Sequence, residues 1–320
     1  MKKIAASIAA AWLVAAPADA NDSTAETAAG GLVLTRTDAI DMVSEDLFVS
    51  AEQVRVRYVF RNRTAKAIRT TVAFPLPEVS LAEREYRDIA VPHDFVTVID
   101  GKPVRMAVER KAMLAGKDHT ALLASLKVPL SDDAGAAINR LSKADLARLV
   151  AAKLAIPDDY RGEPHLAPGW TVKETYHWEQ VFPAGRDLIV EHRYVPGTGG
   201  SVGTALVLPD VRNGAEGRAY AERYCTDATF LSGVDRLARG AGNADAALPE
   251  YRIGYVLKTG ANWRAPIGRF RLVVDKGAPA NLVSFCGEGV RKISPTQFEV
   301  LHQDWRPARD LDILIVAPRS

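Results

Sequence analysis

Hydrophobic and polar side chains alternate strictly between residues 54 and 61 of this chain. A period of two places successive side chains on opposite faces of an extended strand, so this stretch predicts a β-strand with one buried face. The side chains that the alternation assigns to the buried face are Val54, Val56, Tyr58 and Phe60.

Short turn-like connections join several stretches with strand patterns. The connections at residues 62–64, 100–103 and 183–186 are each short enough for a tight turn. A short turn can join antiparallel neighbours, whereas parallel neighbours need a crossover of a dozen or more residues. We therefore expect three β-hairpins. Their strand pairs are 54–61 with 68–74, 95–99 with 104–108, and 170–182 with 187–195.

The region between residues 111 and 160 predicts a helical insertion. Ser142 is suited to cap a helix, because its side-chain oxygen can accept a hydrogen bond from a free backbone N–H, and Asp145 lies three residues further on. An apolar stripe follows at helical spacing, and Pro157 ends the pattern. A looser helical stretch covers residues 119–126.

The last third of the chain returns to β patterns. Residues 216–237 predict a helical stretch that carries Cys225, and the small residues of 240–249 predict a linker. Five short strand patterns then follow at regular spacing, as in a sandwich or barrel. They cover residues 251–258, 268–275, 282–286, 298–302 and 311–316.

Together these patterns predict a mainly β fold class, an antiparallel β-sandwich in two β-rich parts with a helical insertion. We expect the two parts to be residues 21–200 and 201–320. No doubly wound parallel sheet is expected, because the one strong helix interrupts the β segments and does not alternate with them.

The first twenty residues have the pattern of a cleaved secretory signal peptide. Two lysines precede an apolar run over residues 4–16, and Ala18 and Ala20 supply the small side chains of a cleavage site before Asn21. The apolar run is shorter than the ~20 residues that span a bilayer, so we expect no stable membrane insertion. The expected location is periplasmic or secreted.

The charge distribution argues against polyanionic partners. The chain has 41 Lys and Arg against 39 Asp and Glu, and loss of residues 1–20 lowers the net charge from +2 to about +1. Acids and bases alternate along the chain and do not form blocks, so nucleic acid and anionic membranes are poor partners. The expected partner is an envelope protein or a ligand.

The chain has two cysteines, Cys225 and Cys286. Disulfides form and persist in the compartment to which the signal peptide directs the chain, and exposed free thiols are a liability there. We therefore expect these cysteines to bond to each other, with Cα atoms within about 7 Å. The alternative is two separate buried thiols.

Metal binding depends on the register of the third expected hairpin. If its turn is symmetric, His177 lies opposite His192, and Glu179 shares their face. Two imidazoles and a carboxylate can hold a divalent ion. However, a one-residue bulge destroys the alignment, and paired histidines on an exposed face are commonly plain polar surface. No metal or other cofactor is expected, and these three residues are the candidates if a metal binds.

Two further stretches contain residues that could form a site. Trp263 and Arg264 lie between strands, where a loop tryptophan can anchor a partner or equally plug one end of the sandwich. Residues 199–203 match the serine-hydrolase string G-x-S-x-G. Residues 205–209 after it predict a strand instead of the helix that this motif requires, so no catalytic residue is expected there.

Three stretches resemble a bacterial secreted family called domain of unknown function 4424. They are TGANWRAPIGRF at 259–270, VSFCGE at 283–288 and FPLP at 74–77. The resemblance covers most of the chain after the signal peptide. It implies no activity, since that family has none that could be carried over onto these residues.

The N-terminal half is also similar to the vault and inter-alpha-trypsin type β domain. The similarity rests on the alternating strand, on FPLP at 74–77 and on the DGK turn at 100–102 that leads into residues 109–111. It implies a non-catalytic module for packing and interaction. The helical insertion departs from that pattern.

These observations favour a non-enzymatic extracytoplasmic binding or assembly module of the cell envelope. One alternative is a periplasmic hydrolase or metal-dependent enzyme centred on His177 and His192. Another is a carrier of an apolar ligand between the sheets.

Overall fold

A computed structural model describes residues 23–28, 31–82, 92–131, 133–158, 165–241 and 247–319. The expected signal peptide at residues 1–20 lies outside these described residues. Over the described part, two large β-sheets pack face to face, accompanied by a four-stranded sheet, a two-stranded sheet and six α-helices. The predicted mainly β, sandwich-like fold is confirmed. None of the helices in this part is both long and apolar enough to cross a membrane.

The strands, in chain order, are β1 (Ser23–Ala28), β2 (Gly31–Thr35), β3 (Ile40–Val49), β4 (Val54–Asn62), β5 (Ile68–Pro75), β6 (Val79–Ser80), β7 (His93–Ile99), β8 (Lys102–Val104), β9 (Ala107–Leu114), β10 (Lys117–Asp118), β11 (Ala155–Asp158), β12 (His165–Pro168), β13 (Thr171–Phe182), β14 (Asp187–Val195), β15 (Thr198–Ser201), β16 (Glu250–Tyr255), β17 (Ile267–Asp275), β18 (Leu282–Phe285), β19 (Arg291–Lys292), β20 (Gln297–Trp305) and β21 (Leu311–Val316). The helices are α1 (Thr120–Ser125), α2 (Ala134–Ile138), α3 (Lys143–Ala151), α4 (Pro209–Asn213), α5 (Ala215–Tyr224) and α6 (Ala228–Gly240).

Strands from both ends of the chain build the eight-stranded sheet, in the order β19-β20-β17-β3-β4-β14-β7-β8. Within the described chain its neighbours are antiparallel except β3 and β17, which run parallel with Leu47 opposite Leu272. The expected boundary at residue 200 separates strands of this one sheet, because β3 and β4 precede it and β17 and β20 follow it. The division into parts 21–200 and 201–320 stays a prediction.

The hydrophobic core lies between the two large sheets. The side chains assigned by alternation to the inner face of β4 are all buried: Val54, Val56, Tyr58 and Phe60. The seven-stranded sheet has the order β10-β9-β13-β5-β1-β2, with β6 also paired to β13. Its Phe182 ring lies 5.9 Å from the Phe60 ring of the facing sheet. The four-stranded sheet extends the same core through Tyr255.

Two of the three expected hairpins are wrong. β4 belongs to the eight-stranded sheet and β5 to the seven-stranded sheet, so residues 62–64 begin a crossover between the layers. β13 and β14 are separated in the same way, and residues 183–186 carry the chain back. Packed sheets are only about 10 Å apart, so a short connection can pass between layers as easily as it reverses within one sheet.

The hairpin at Asp100 and Gly101 is confirmed. β7 pairs with β8, and Ile99 lies opposite Lys102. Both turn residues have positive φ, 46° and 76°, as the two-residue type I′ turn requires. The second strand is shorter than expected, because the chain leaves this sheet after Val104 and enters the seven-stranded sheet as β9.

The helical insertion is built around α3 but also contains strands. Ser142 caps α3 as predicted, and its Oγ accepts a hydrogen bond from the backbone N–H of Asp145 at 3.1 Å. The helix ends before Pro157, which lies in β11 and pairs with β12. The interval 111–160 therefore also includes β10, β11 and part of β9, around a separate hydrophobic cluster.

The five strand patterns of the C-terminal third are confirmed as β16, β17, β18, β20 and β21. The helical stretch before them forms α5 and α6, which pack on the four-stranded sheet of order β15-β16-β21-β18. The strand expected at 205–209 is wrong, because Ala205–Val207 is a 3-10 helix capped by Thr204. α4 then begins at Pro209, since proline suits the first turn of a helix.

Cys225 and Cys286 form the expected disulfide, with Cα atoms 5.0 Å apart. Cys225 ends α5 in a left-handed conformation with φ of 55°, and Cys286 follows β18. The bond therefore ties the helical layer to the C-terminal sheet.

Candidate functional site

The two histidines that a symmetric third hairpin would place opposite each other lie in different sheets. His177 on β13 is opposite Ala73 in the seven-stranded sheet, and His192 on β14 is opposite Thr97 in the eight-stranded sheet. The expected register is wrong because β13 and β14 do not pair.

The side chains of these histidines also face opposite ways. His177 is half-buried on the outer face of its sheet with exposed Glu179, whose carboxylate accepts a hydrogen bond from the Thr71 hydroxyl. His192 is buried between the sheets, with its Nδ1 2.8 Å from the Thr97 hydroxyl and aromatic rings around it. In the part of the chain that the structure describes, no group of three or more His, Cys, Asp and Glu could hold a metal ion.

Trp263 packs into the sandwich core, whereas the neighbouring Arg264 is exposed. Trp263 is only 1% exposed, and its ring lies 4.4 Å from that of Phe60, so the tryptophan itself presents no surface to a partner. Arg264 forms an ion pair with Asp41, to which Arg63 also binds. Burial raises the pKa of the Asp41 carboxyl, but the hydrogen bonds and charges of Arg264 and Arg63 outweigh it and hold this pKa below its usual value.

A groove of about 510 Å³ lies on the outer face of the eight-stranded sheet, and we call it the outer groove. Its solvent-facing side chains come from β3, β4, β7, β14 and β17. The apolar and cationic ones are Phe48, Arg55, Arg57, Val96, Val98, Arg193 and Arg271, and the carboxylates of Asp46 and Glu191 also line the groove. A cleft of this size is in the range of small-molecule sites.

Arg55 and Arg193 are direct cross-strand neighbours in the outer groove. The antiparallel register of β4 and β14 pairs them, which places their Cβ atoms about 4.5–5.5 Å apart. Like charges at such positions repel each other and destabilise the strand pair. The Arg55 guanidinium lies 4.5 Å from the centre of the Phe48 ring, a cation–π contact that restricts its position. Neither arginine forms an ion pair with a carboxylate of the described residues.

The other arginines on this face have carboxylate partners. The pairs are Arg57 with Glu191 at 3.9 Å, Arg61 with Asp187 at 2.5 Å, Arg269 with Asp46 at 2.6 Å, and Arg271 with Glu299 at 2.8 Å. The pKa of the Glu299 carboxyl is lowered, mainly by a hydrogen bond from Arg291. Burial raises this pKa, and a hydrogen bond from Arg271 lowers it further. Among the arginines that line the outer groove, Arg55 and Arg193 are therefore the two without a carboxylate contact in the described chain.

Apolar side chains border the arginine pair on both sides. β3 places Phe48 opposite Arg55, and β7 places Val96 opposite Arg193. Val96 is 38% exposed, and Val98 lies two residues further along the same face. The outer groove thus combines a local positive charge with apolar flanks, an arrangement suited to an anion that also has an apolar part.

The sequence alone indicates the two arginine positions of this site but not that they are neighbours. Arg55 can be recognised as a polar position of an alternating strand, and so can Arg193. Their adjacency depends on the pairing of two strands that are distant in sequence, which no local pattern specifies.

Comparison with known protein families finds one model, described as Domain of unknown function (DUF4424), that matches residues 20–314. The chain belongs to the DUF4424 family. A comparison of this DUF4424 protein with curated proteins finds no match.

Two solved structures are similar to the DUF4424 protein over much of its length. One is a "putative nutrient binding protein" from Legionella pneumophila, with 15% identity over 93% of this chain and 72% of that one, at a TM-score of 0.44. The other is an M1 zinc metallopeptidase from Deinococcus radiodurans, with 9% identity over 88% of this chain and 43% of that one, at a TM-score of 0.24. Similarities of this extent do not identify a function.

Proposed function

We propose that this DUF4424 protein is a non-enzymatic binding module that works outside the cytoplasm and holds an anionic partner in the outer groove. The observation that carries the proposal is the cross-strand pair of Arg55 and Arg193. Two adjacent guanidiniums without a carboxylate partner in the described chain leave a positive site that an incoming anion would neutralise.

The chemistry of the groove supports binding more than catalysis. Guanidinium groups keep their protons throughout the physiological range, so Arg55 and Arg193 can orient an anion but not exchange protons with it. His192, the histidine among the residues that line the groove, turns its ring into the core on the opposite side of the sheet. The packed aromatic interior likewise gives no support to a carrier of apolar ligands between the sheets.

The extracytoplasmic location rests on the signal-peptide pattern and on the disulfide. The bond between Cys225 and Cys286 is of the kind that persists in oxidising compartments. Intact-mass analysis of the exported protein is expected to show a chain that begins at Asn21. Recovery of the form that retains Met1 would contradict this location.

Retention of ligands from an envelope extract tests the binding function. The mature protein is immobilised, incubated with extract, washed and eluted with salt, and the eluate is analysed by mass spectrometry. The variants are Arg55→Gln/Arg193→Gln and the matched control Arg69→Gln, which removes an exposed strand arginine from the outer face of the other large sheet. We expect an anionic species on wild type and control that the double variant does not retain. Equal retention by all three proteins would contradict the proposal.

A further inference from the structure

We infer that the outer groove takes a small organic anion, with one carboxylate or phosphate group bound between Arg55 and Arg193 and an apolar body along Phe48, Val96 and Val98. This inference rests on the proposed function and narrows its ligand to one chemical class. Three features of the groove lead to it.

The first feature is the geometry of the two guanidiniums. Each presents several N–H donors in a planar fork that matches the oxygens of a carboxylate or phosphate. Because Arg55 and Arg193 stand side by side across β4 and β14, one oxyanion can accept hydrogen bonds from both. The ring of Phe48 beneath Arg55 reduces the number of positions that this guanidinium can take before the anion arrives.

The second feature is the small extent of the uncompensated charge. A polyanion such as nucleic acid needs a continuous stripe of free cations that follows its backbone. Here the arginines of the adjoining row, Arg57 and Arg271, already contact Glu191 and Glu299. Within the outer groove the arginines without a carboxylate contact in the described chain are therefore this one adjacent pair, which can bind one anionic group.

The third feature is the apolar border of the pair. Val96 is more than one-third exposed on the β7 side, and Phe48 lies on the β3 side. A ligand with an apolar body would cover these side chains and remove their surface from water. A bare inorganic anion would leave them exposed, so both parts of the ligand contribute to affinity.

Calorimetric titration of the mature protein with octanoate tests this assignment. The comparison probes are octyl phosphate, which keeps the apolar chain and changes the oxyanion; acetate, which lacks the apolar chain; and octylammonium, which reverses the charge. The proteins are wild type, Arg55→Gln, Arg193→Gln and the control Arg69→Gln. We expect octanoate or octyl phosphate to bind wild type and Arg69→Gln alike. Each groove variant should bind at least roughly tenfold more weakly, the loss typical for a charge-assisted hydrogen bond.

The remaining outcomes separate this inference from the proposed function. The inference is wrong if octylammonium or acetate binds as tightly as octanoate, or if neither groove variant weakens binding. It is also wrong if no octyl probe binds while the extract experiment still shows retention that depends on Arg55 and Arg193, in which case the binding function stands and the ligand class does not. If the extract experiment fails as well, both are wrong.

Discussion

Asn62 donates a hydrogen bond through its side-chain nitrogen to the carbonyl oxygen of Phe182, 3.0 Å away, and so joins two of the crossovers between the large sheets, those after β4 and after β13. The same nitrogen donates a hydrogen bond to the carbonyl oxygen of Lys66 at 2.8 Å. The side-chain oxygen Oδ1 of Asn62 accepts a hydrogen bond from the backbone N–H of Thr64 at 2.9 Å. The Asn62 carbonyl also accepts from the N–H of Gly185. One buried side chain therefore links the crossover after β4 to the crossover after β13.

Replacing Asn62 with alanine is expected to lower the free energy of unfolding by about 1–3 kcal/mol, because buried backbone groups lose their partner. Urea unfolding of the mature protein measures this change. The control is Thr64→Ala, which removes a more exposed member of the same turn and should cost less than about 1 kcal/mol. Equal losses in the two variants would show that Asn62 does not hold the crossovers together.

Local sequence patterns predict where the strands of this protein lie better than they predict which strands pair with each other. The alternation in β4 identifies its buried face correctly, but the connection after β4 has the same length and polarity whether the chain reverses or changes layer. At Asp100 and Gly101 the residue types themselves favour a hairpin turn, because both tolerate positive φ, and the prediction of that hairpin is correct. Where the connection has no such residues, contacts distant in sequence decide whether the chain reverses or crosses to the other sheet.

β3 shows why one central strand is missing from the sequence-based description. A bulge between Met42 and Ser44 shifts its alternation by one position. Beyond the bulge, Glu45 takes a fully buried position that the pattern would assign to an apolar residue. Polar and apolar residues of 40–49 therefore do not alternate regularly, although β3 lies in the middle of the eight-stranded sheet.

The disulfide is expected to contribute much of the stability. Cys225 and Cys286 close a loop with a sequence separation of 61, and the chain-entropy model assigns about 4 kcal/mol to a loop of this length. The Cys225→Ser/Cys286→Ser protein should unfold at lower urea concentration than oxidised wild type and close to reduced wild type. Unchanged unfolding of wild type on addition of reductant would contradict this expectation.

Acid unfolding should depend on Asp41. Arg264 and Arg63 hold the pKa of its carboxyl below the usual value despite the opposing effect of burial. A group whose pKa is lower in the folded state stabilises the fold above its unfolded pKa of about 4, and this contribution is lost as the pH falls through the folded pKa. The stability of Asp41→Asn should therefore fall less steeply below pH ~4 than that of wild type. Exposed Glu52→Gln serves as the control and should follow wild type.

The repulsion between Arg55 and Arg193 predicts an unusual effect on stability. Arg193→Gln removes one of two like charges on neighbouring strands and should leave the free energy of unfolding unchanged or raise it by up to about 1 kcal/mol. Arg61→Gln on the same sheet breaks the exposed pair with Asp187 and should lower the free energy of unfolding slightly, because exposed ion pairs contribute little. Urea unfolding at low salt compares the two. A larger loss for Arg193→Gln would show that this side chain is needed for the fold.

The position of a bound anion tests the central claim most directly. Nuclear magnetic resonance of the isotope-labelled mature protein, titrated with octanoate, locates the ligand through the amide and arginine side-chain resonances that move. The largest shifts should fall at residues 46–48, 55–57, 96–98 and 191–193, and they should disappear in Arg55→Gln/Arg193→Gln while they persist in Arg69→Gln. Shifts centred on the seven-stranded sheet or the C-terminal sheet, or shifts that the double variant retains, would contradict a binding site in the outer groove.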